Sequence, residues 1–135
     1  MTSIRGAITV TENTAGAIIE ASKELLTEMI KNNDLKLDQI IDITFSATKD
    51  LNAVYPAVAA REMGIVEAGL VCFQEMDVTG SLSMCIRILL HGEIPGKKQS
   101  DMQHIYLRGA KVLRPDIVKP KSENVMAGDN CNGQS

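Results

Sequence analysis

Arg87 stands in the middle of Cys85-Ile86-Arg87-Ile88-Leu89-Leu90, an apolar run that otherwise reads as a buried strand. Glu75 closes the apolar run before it, Cys72-Phe73-Gln74-Glu75. A fixed charge in such surroundings costs several kcal/mol unless it is paired or meets an anionic ligand. The chain has five arginines, Arg5, Arg61, Arg87, Arg108 and Arg114. Arg5 and Arg87 fall inside predicted strands, whereas the lysines lie almost wholly in helix faces, loops and the tail. Guanidinium offers a rigid fork of donors that matches a carboxylate and keeps its charge at neutral pH, so this segregation points to the binding of a planar anion. The competing reading makes Arg5 and Arg87 structural ion-pair partners of Glu75 or Asp77.

The remaining reactive side chains narrow the chemistry. Glu75 sits at a strand end, where open sheets often place functional carboxylates, although a strand-end charge in solvent has the same sequence. Cys72 has no histidine near it in sequence, and His91 and His104 have no triad-like companions. Cys72 therefore reads as a small buried hydrophobe or weak hydrogen-bond donor. Tyr106 lies in an alternating strand, as a core or interface tyrosine does, and Asp77 with Thr79 resembles a turn. A phosphate-cradling glycine loop, HExxH, paired CxxC and GxSxG are all missing from the sequence, so nucleophilic hydrolysis, metal chemistry and nucleotide use lack their usual residues. No metal ligands and no cofactor are expected. A reaction that needs only orientation and electrostatic stabilisation requires none of them.

The elements that must position these residues follow from pattern. Ile4 to Val10 alternates as a strand, with Ile4, Gly6, Ile8 and Val10 on one face and Arg5, Ala7 and Thr9 on the other. Glu12-Asn13-Thr14 supplies an N-cap to an amphipathic helix over 15–30 that ends near Asn32-Asn33. A β-branched second strand covers 40–46. Pro56, the alanines after it and Gly64 predict a short helix with a left-handed stop. Strands follow at 68–73, 84–90 and 104–107, separated by a turn at Gly80 and a Pro95-Gly96 loop. The order predicts an α+β fold, a mixed β-sheet with helices packed on one face. An open sheet of this size leaves edges that oligomerisation commonly covers.

With 135 residues, 44% of them hydrophobic, the expectation is one domain over residues 1–117 and a mobile tail over 118–135. A net charge of -3 without a basic cluster argues against nucleic acid as a partner. Three cysteines without metal spacing, and no apolar segment of signal or membrane-span length, predict a reduced, cytoplasmic protein with no membrane partner.

Several blocks, in order, carry a family resemblance: Ile4-Arg5-Gly6-Ala7, Ser46-Ala47-Thr48-Lys49-Asp50-Leu51, Tyr55-Pro56-Ala57, Ala60-Arg61-Glu62, Cys72 through Gly80, Cys85-Ile86-Arg87, Tyr106-Leu107 and Leu113-Arg114-Pro115-Asp116. From Ile4 to Asp116 the chain resembles the monofunctional bacterial chorismate mutases of the trimeric α/β type. The resemblance implies a homotrimer forming a pseudo α/β-barrel, with substrate clefts at subunit interfaces and conversion of chorismate to prephenate. It implies that Arg87 donates to the breaking ether bond and that Arg5 and Tyr106 hold a substrate carboxylate. Glu75 and Cys72 would meet the ring hydroxyl, Arg61 would come from the neighbouring subunit beside Tyr55 and Ala57, and Arg114 would lie where the chain folds toward the cleft. This sequence departs from the pattern at Val58, where relatives carry a lysine. A ligand-binding or imine-deaminase trimer of similar architecture and a non-catalytic metabolite sensor are the competing classes, and turnover separates them.

Overall fold

The computed structural model describes residues 1–115, so the expected tail over 118–135 lies outside the described residues. The chain runs β1 (Thr2–Thr9), α1 (Ala15–Asn32), β2 (Ile40–Ala47), α2 (Ala57–Glu62), β3 (Gly69–Gln74), β4 (Cys85–Gly92) and β5 (Ile105–Leu107), with 3-10 turns at Leu37–Gln39, Gln99–Asp101 and Arg108–Val112. Thr14 caps α1 as its position predicts, its Oγ1 accepting from the Ala17 N–H at 3.1 Å. Gly64 ends α2 at φ +91°, the left-handed stop that glycine adopts without steric cost.

The strands form one mixed sheet in the order β3-β2-β4-β1-β5. β4 is antiparallel to both β1 and β2, while β3 and β5 run parallel to β2 and β1. Parallel neighbours need a crossover, and here α2 leads from β2 to β3. The main core lies between the sheet and the helices: Ile4, Ile8, Ile43, Phe45, Ile86, Ile88 and Leu90 face Ile18, Leu25, Leu26 and Met29 of α1. Gly6 allows that contact, because a Cβ there would lie 2.6 Å from Met29 Sδ and 3.2 Å from the Ile105 carbonyl.

The expected fold class is correct, and the strand limits differ for identifiable reasons. Met84 has φ +51°, a left-handed conformation that L-residues rarely adopt, so β4 begins at Cys85. His104 bonds β1 through its ring, accepting the Arg5 N–H at Nδ1 over 2.9 Å, so β5 begins at Ile105. Farther along the same edge, Gln99 Oε1 accepts the Ser3 N–H and Gln99 Nε2 donates to the Ser3 carbonyl, both at 2.8 Å. Ala7 keeps the predicted alternation, on the face opposite the helices with Arg5 and Thr9, and is fully buried there, packed with Cys85, Tyr106 and Ala110. The turn Arg108–Val112 and Leu113 cover that part of the sheet.

Asn33 ties the end of α1 to the approach to β5. Its side chain donates to the Met29 and Gln103 carbonyls at 2.8 and 3.0 Å and accepts the Gln103 N–H at 2.8 Å. Ser22 offers the opposite case, a fully buried hydroxyl without a hydrogen-bond partner among the described residues. An unsatisfied buried polar group costs on the order of 1–3 kcal/mol, and alanine is the better helix former. Ser22→Ala is therefore expected to stabilise the fold by about 1 kcal/mol. Chemical denaturation would show this as a higher midpoint at unchanged slope; a lower midpoint would mean that the hydroxyl is satisfied in solution.

Among the described residues no helix is long and apolar enough to cross a membrane, and no three His, Cys, Asp or Glu side chains converge as a metal site.

Candidate active site

Strand register places Arg87 at the centre of the sheet face that α1 and α2 leave uncovered. Phe73, Ser46, Arg87, Ala7 and Tyr106 occupy one row across β3, β2, β4, β1 and β5. The next row holds Val71, Thr44, Leu89 and Arg5. Arg5, Arg87 and Tyr106 therefore share a face because each occupies the matching parity of its strand.

Arg87 is only 21% exposed, and Glu75 Oε2 stands 3.6 Å from its Nε. That separation is beyond hydrogen-bond reach, and Nε is buried with no hydrogen-bond partner among the described residues. Glu75 continues the line of β3, its N–H bonded to the Ala47 carbonyl at 2.8 Å. The Ser46 hydroxyl donates to Glu75 Oε1, which leaves Oε2 turned toward Arg87. The ion pair considered from sequence thus forms with Glu75, whereas Asp77 goes to Lys49, 2.9 Å away on the surface. That contact raises the Lys49 pKa.

A cleft of about 420 Å³ opens in front of Arg87. Gly80, Ser81, Leu82 and Ser83 form one wall, with Val112 and Leu113 on the other. The wall is shaped at both ends. Gly80 takes φ +83° in the turn, and Ser81 N–H reaches the Val78 carbonyl at 2.9 Å. At the far end Asp50 accepts the Met84 N–H at 3.1 Å, and Thr48 Oγ1 accepts the Cys85 N–H at 3.0 Å. Cys85 lies under this region, and burial pushes its thiol up to about 11 against the smaller opposing pull of Arg87. It is a neutral packing group at physiological pH.

Tyr106 is 4% exposed. Arg5 and Arg114 both act on His104: burial first, then these two positive charges, lower its pKa. These residues thus gather near the β1–β5 end of the same face.

Cys72 is elsewhere. It pairs in register with Phe45, which points into the helix-side core. Burial raises its pKa, while the Ala57 N–H and the Arg61 charge act in the opposite sense. Cys72, Ala57 and Arg61 therefore lie together where α2 meets β3, and Tyr55, 70% exposed, immediately precedes that helix. One chain brings Arg5, Glu75, Arg87 and Tyr106 to one face of the sheet and places Tyr55, Ala57, Arg61 and Cys72 on the other side.

Sequence reasoning assigned no role to Ser46, which bonds Glu75, or to His104, whose ring accepts the Arg5 N–H. Ser46 had a usable signal, since it shares the parity of Thr44 at the end of a strand whose opposite parity is apolar. For His104 no local pattern announces a side chain that replaces a backbone partner. The arrangement as a whole can hold an anion against buried guanidinium and stabilise charge that develops there, with no group placed as a nucleophile.

Comparison with known proteins agrees with this chemistry. The family Chorismate mutase type I matches residues 1–117. The chain is 41% identical over 122 residues to chorismate mutase AroH of Bacillus subtilis (strain 168), covering 88% of this chain and 94% of that protein. It is 40% identical over 117 residues to chorismate mutase AroH of Thermus thermophilus, covering 84% and 93%. A solved structure, a chorismate mutase from Clostridium thermocellum, superimposes with a TM-score of 0.82 at 49% identity and covers 84% of this chain and all of that one.

Proposed function

Because this chain belongs to the chorismate mutase type I family, we propose that Arg87 and Glu75 form the centre at which it rearranges its substrate. The protein is a chorismate mutase, an isomerase of aromatic amino acid biosynthesis that converts chorismate to prephenate. In this Claisen-type step an ether carbon–oxygen bond breaks as a carbon–carbon bond forms, and negative charge develops on the ether oxygen. No proton is transferred and no covalent enzyme intermediate forms.

The observation that carries the assignment is the buried Arg87 Nε, which is ion-paired with Glu75 yet has no hydrogen-bond partner among the described residues. An orphaned donor on a fixed cation is costly in the free protein and gains a partner when the ether oxygen becomes anionic. It is then worth more in the transition state than in the ground state, which is the condition for acceleration. One donor aimed at developing charge typically supplies about 3–4 kcal/mol, and a million-fold acceleration requires roughly 8 kcal/mol. The rest falls to groups that hold the compact pericyclic conformer. Arg5 and Tyr106 bind a substrate carboxylate in this reading, with Arg114 at the same end.

The second group of residues completes the cleft from a neighbouring copy. Glu75 meets the ring hydroxyl together with Cys72 of the next subunit, whose Arg61, Tyr55 and Ala57 close the other side. The separation of the two groups on opposite sides of the sheet supports a homotrimer with interface sites, because one chain cannot bring both to one ligand. Exposed apolar side chains on the same face at the β3 edge, with Phe73 61% and Val71 44% accessible, support the same reading, since such a strip is suited to burial against another copy. We take residues 1–117 as the mutase domain, acting in the cytoplasm.

The test is to mix the protein with chorismate and follow loss of the diene absorbance, identifying prephenate by its acid conversion to phenylpyruvate. Turnover that collapses in Arg87→Ala is the expected result. Turnover unchanged in Arg87→Ala would remove Arg87 from the centre, and chorismate bound without turnover would favour the sensor.

A further inference from the structure

The geometry points to His104 as the positioning residue that holds Arg5 for substrate, and to its neutral imidazole as the only form that does so. The inference rests on the reading of Arg5 as a carboxylate-binding group. Its basis is the 2.9 Å hydrogen bond from the Arg5 N–H to His104 Nδ1. Nδ1 accepts there, so the ring proton lies on Nε2 and the imidazole is neutral. Backbone pairing between β1 and β5 starts only at Gly6 and Ile105. One residue earlier the ring stands where a strand partner would otherwise be, and it sets the height at which the Arg5 side chain leaves the sheet.

Protonation would remove the acceptor and place a second N–H against the Arg5 N–H. The charged groups that act on the ring are Arg5 on β1 and Arg114 beyond the turn Arg108–Val112, both positive. On its own segment Asp101 is engaged with the Lys98 N–H and Gln103 with Asn33. No carboxylate among the described residues offsets the two arginines at His104. A cation at His104 would therefore repel the two guanidinium groups and break the bond that holds one of them. Its effect would appear in substrate binding, since the ring touches neither Arg87 nor the reacting atoms.

The sign follows from the lowered pKa. The folded protein resists protonation of His104, so this contribution to stability is fully present above the ordinary imidazole value of about 6.5 and is lost as pH falls through the lower folded value. The hold on Arg5 is a property of the folded protein alone, so it is lost only as pH falls through that lower folded value.

The experiment measures kcat and KM for chorismate against pH, from about 8 down to 5, in wild type, His104→Ala, His104→Asn and Arg5→Ala. Asn places a non-titrating oxygen near the position of Nδ1. We expect His104→Ala to raise KM about tenfold at pH 7.5, with kcat changed less than about threefold. His104→Asn should restore most of the neutral-pH KM and abolish the rise in KM expected of wild type as pH falls through the lowered folded value of the imidazole. An acid rise that persists undiminished in His104→Asn would overturn the inference, whether or not the alanine variant folds well. If Arg5→Ala raises KM and neither His104 variant does, the positioning role fails while the Arg5 reading stands. If Arg5→Ala leaves KM unchanged, the reading of Arg5 fails and the inference falls with it.

Discussion

Replacing Arg87 by lysine should lower kcat at least about 100-fold, or about 2.7 kcal/mol in barrier height, while KM changes less than about fivefold. Lysine retains the charge, so the comparison isolates geometry. The guanidinium Nε is held 3.6 Å from Glu75 Oε2 and buried without a hydrogen bond, fixed before substrate arrives. A lysine ammonium is a hydrated point charge on a flexible stem and cannot reproduce the planar fork. Its long-range attraction for an anion survives, which protects KM. Its aim at one oxygen does not, and that lowers kcat. Steady-state kinetics over a wide chorismate range would separate the two constants. A lysine variant within tenfold of wild-type kcat would show that charge alone suffices and that the fork is incidental.

Mixing two impaired variants should restore activity that neither has alone. Arg87 belongs to the group with Glu75, while Arg61 lies with Cys72 and Ala57 across the sheet. If each cleft takes one group from each of two neighbouring subunits, Arg87→Ala damages one wall and Arg61→Ala the other. Unfolding and refolding an equal mixture would then rebuild intact clefts at interfaces where the two undamaged walls meet. Random assembly of a closed ring places about one quarter of the sites in that state. Specific activity should thus rise from about 1% or less in the Arg87→Ala parent to roughly 20–25% of wild type. Recovery no greater than the average of the two parents would place both groups in one subunit's cleft, or make the clefts independent of assembly. The assay is direct because the two damaged walls come from substitutions remote in sequence and on different elements.

Much of the architecture was legible because its causes are local. Thr14, Gly64 and the Pro95-Gly96 turn mark boundaries through capping and left-handed backbone, and the predicted strands and helices lie where these signals put them. The second, smaller core was not legible. Ala7 alternates onto the face of Arg5 and Thr9, which gives no sign of burial, and the fold of Arg108–Val112 back over β1 covers it. Strand order was equally hidden, since placing β4 between β1 and β2 depends on contacts among residues about forty or more positions apart in the chain. The proposed site shows the same division. Arg87 and Glu75 stood out because a charge in an apolar run is anomalous by itself. Ser46 and His104 matter through partners 29 and 99 residues away, and their own neighbours in sequence give no warning. Asp42 likewise provides His91 with a carboxylate companion at 2.7 Å, which the sequence reading had not given it.

The side chains on the outer rim of β1 have a consequence for the molecule at high concentration. Gln99 meets both backbone groups of Ser3, and His104 meets that of Arg5. An incoming extended peptide from an unfolded chain or a crowded neighbour would look for those same amides as a template. Here they are already occupied by an amide and an imidazole, which continue the line of β5 past its first residue without a backbone ladder of their own against β1. The stretch of β1 that β5 leaves unpaired is therefore closed in a chemical sense, and strand addition at Ser3 and Arg5 is blocked by side chains rather than by a proline or a bulge.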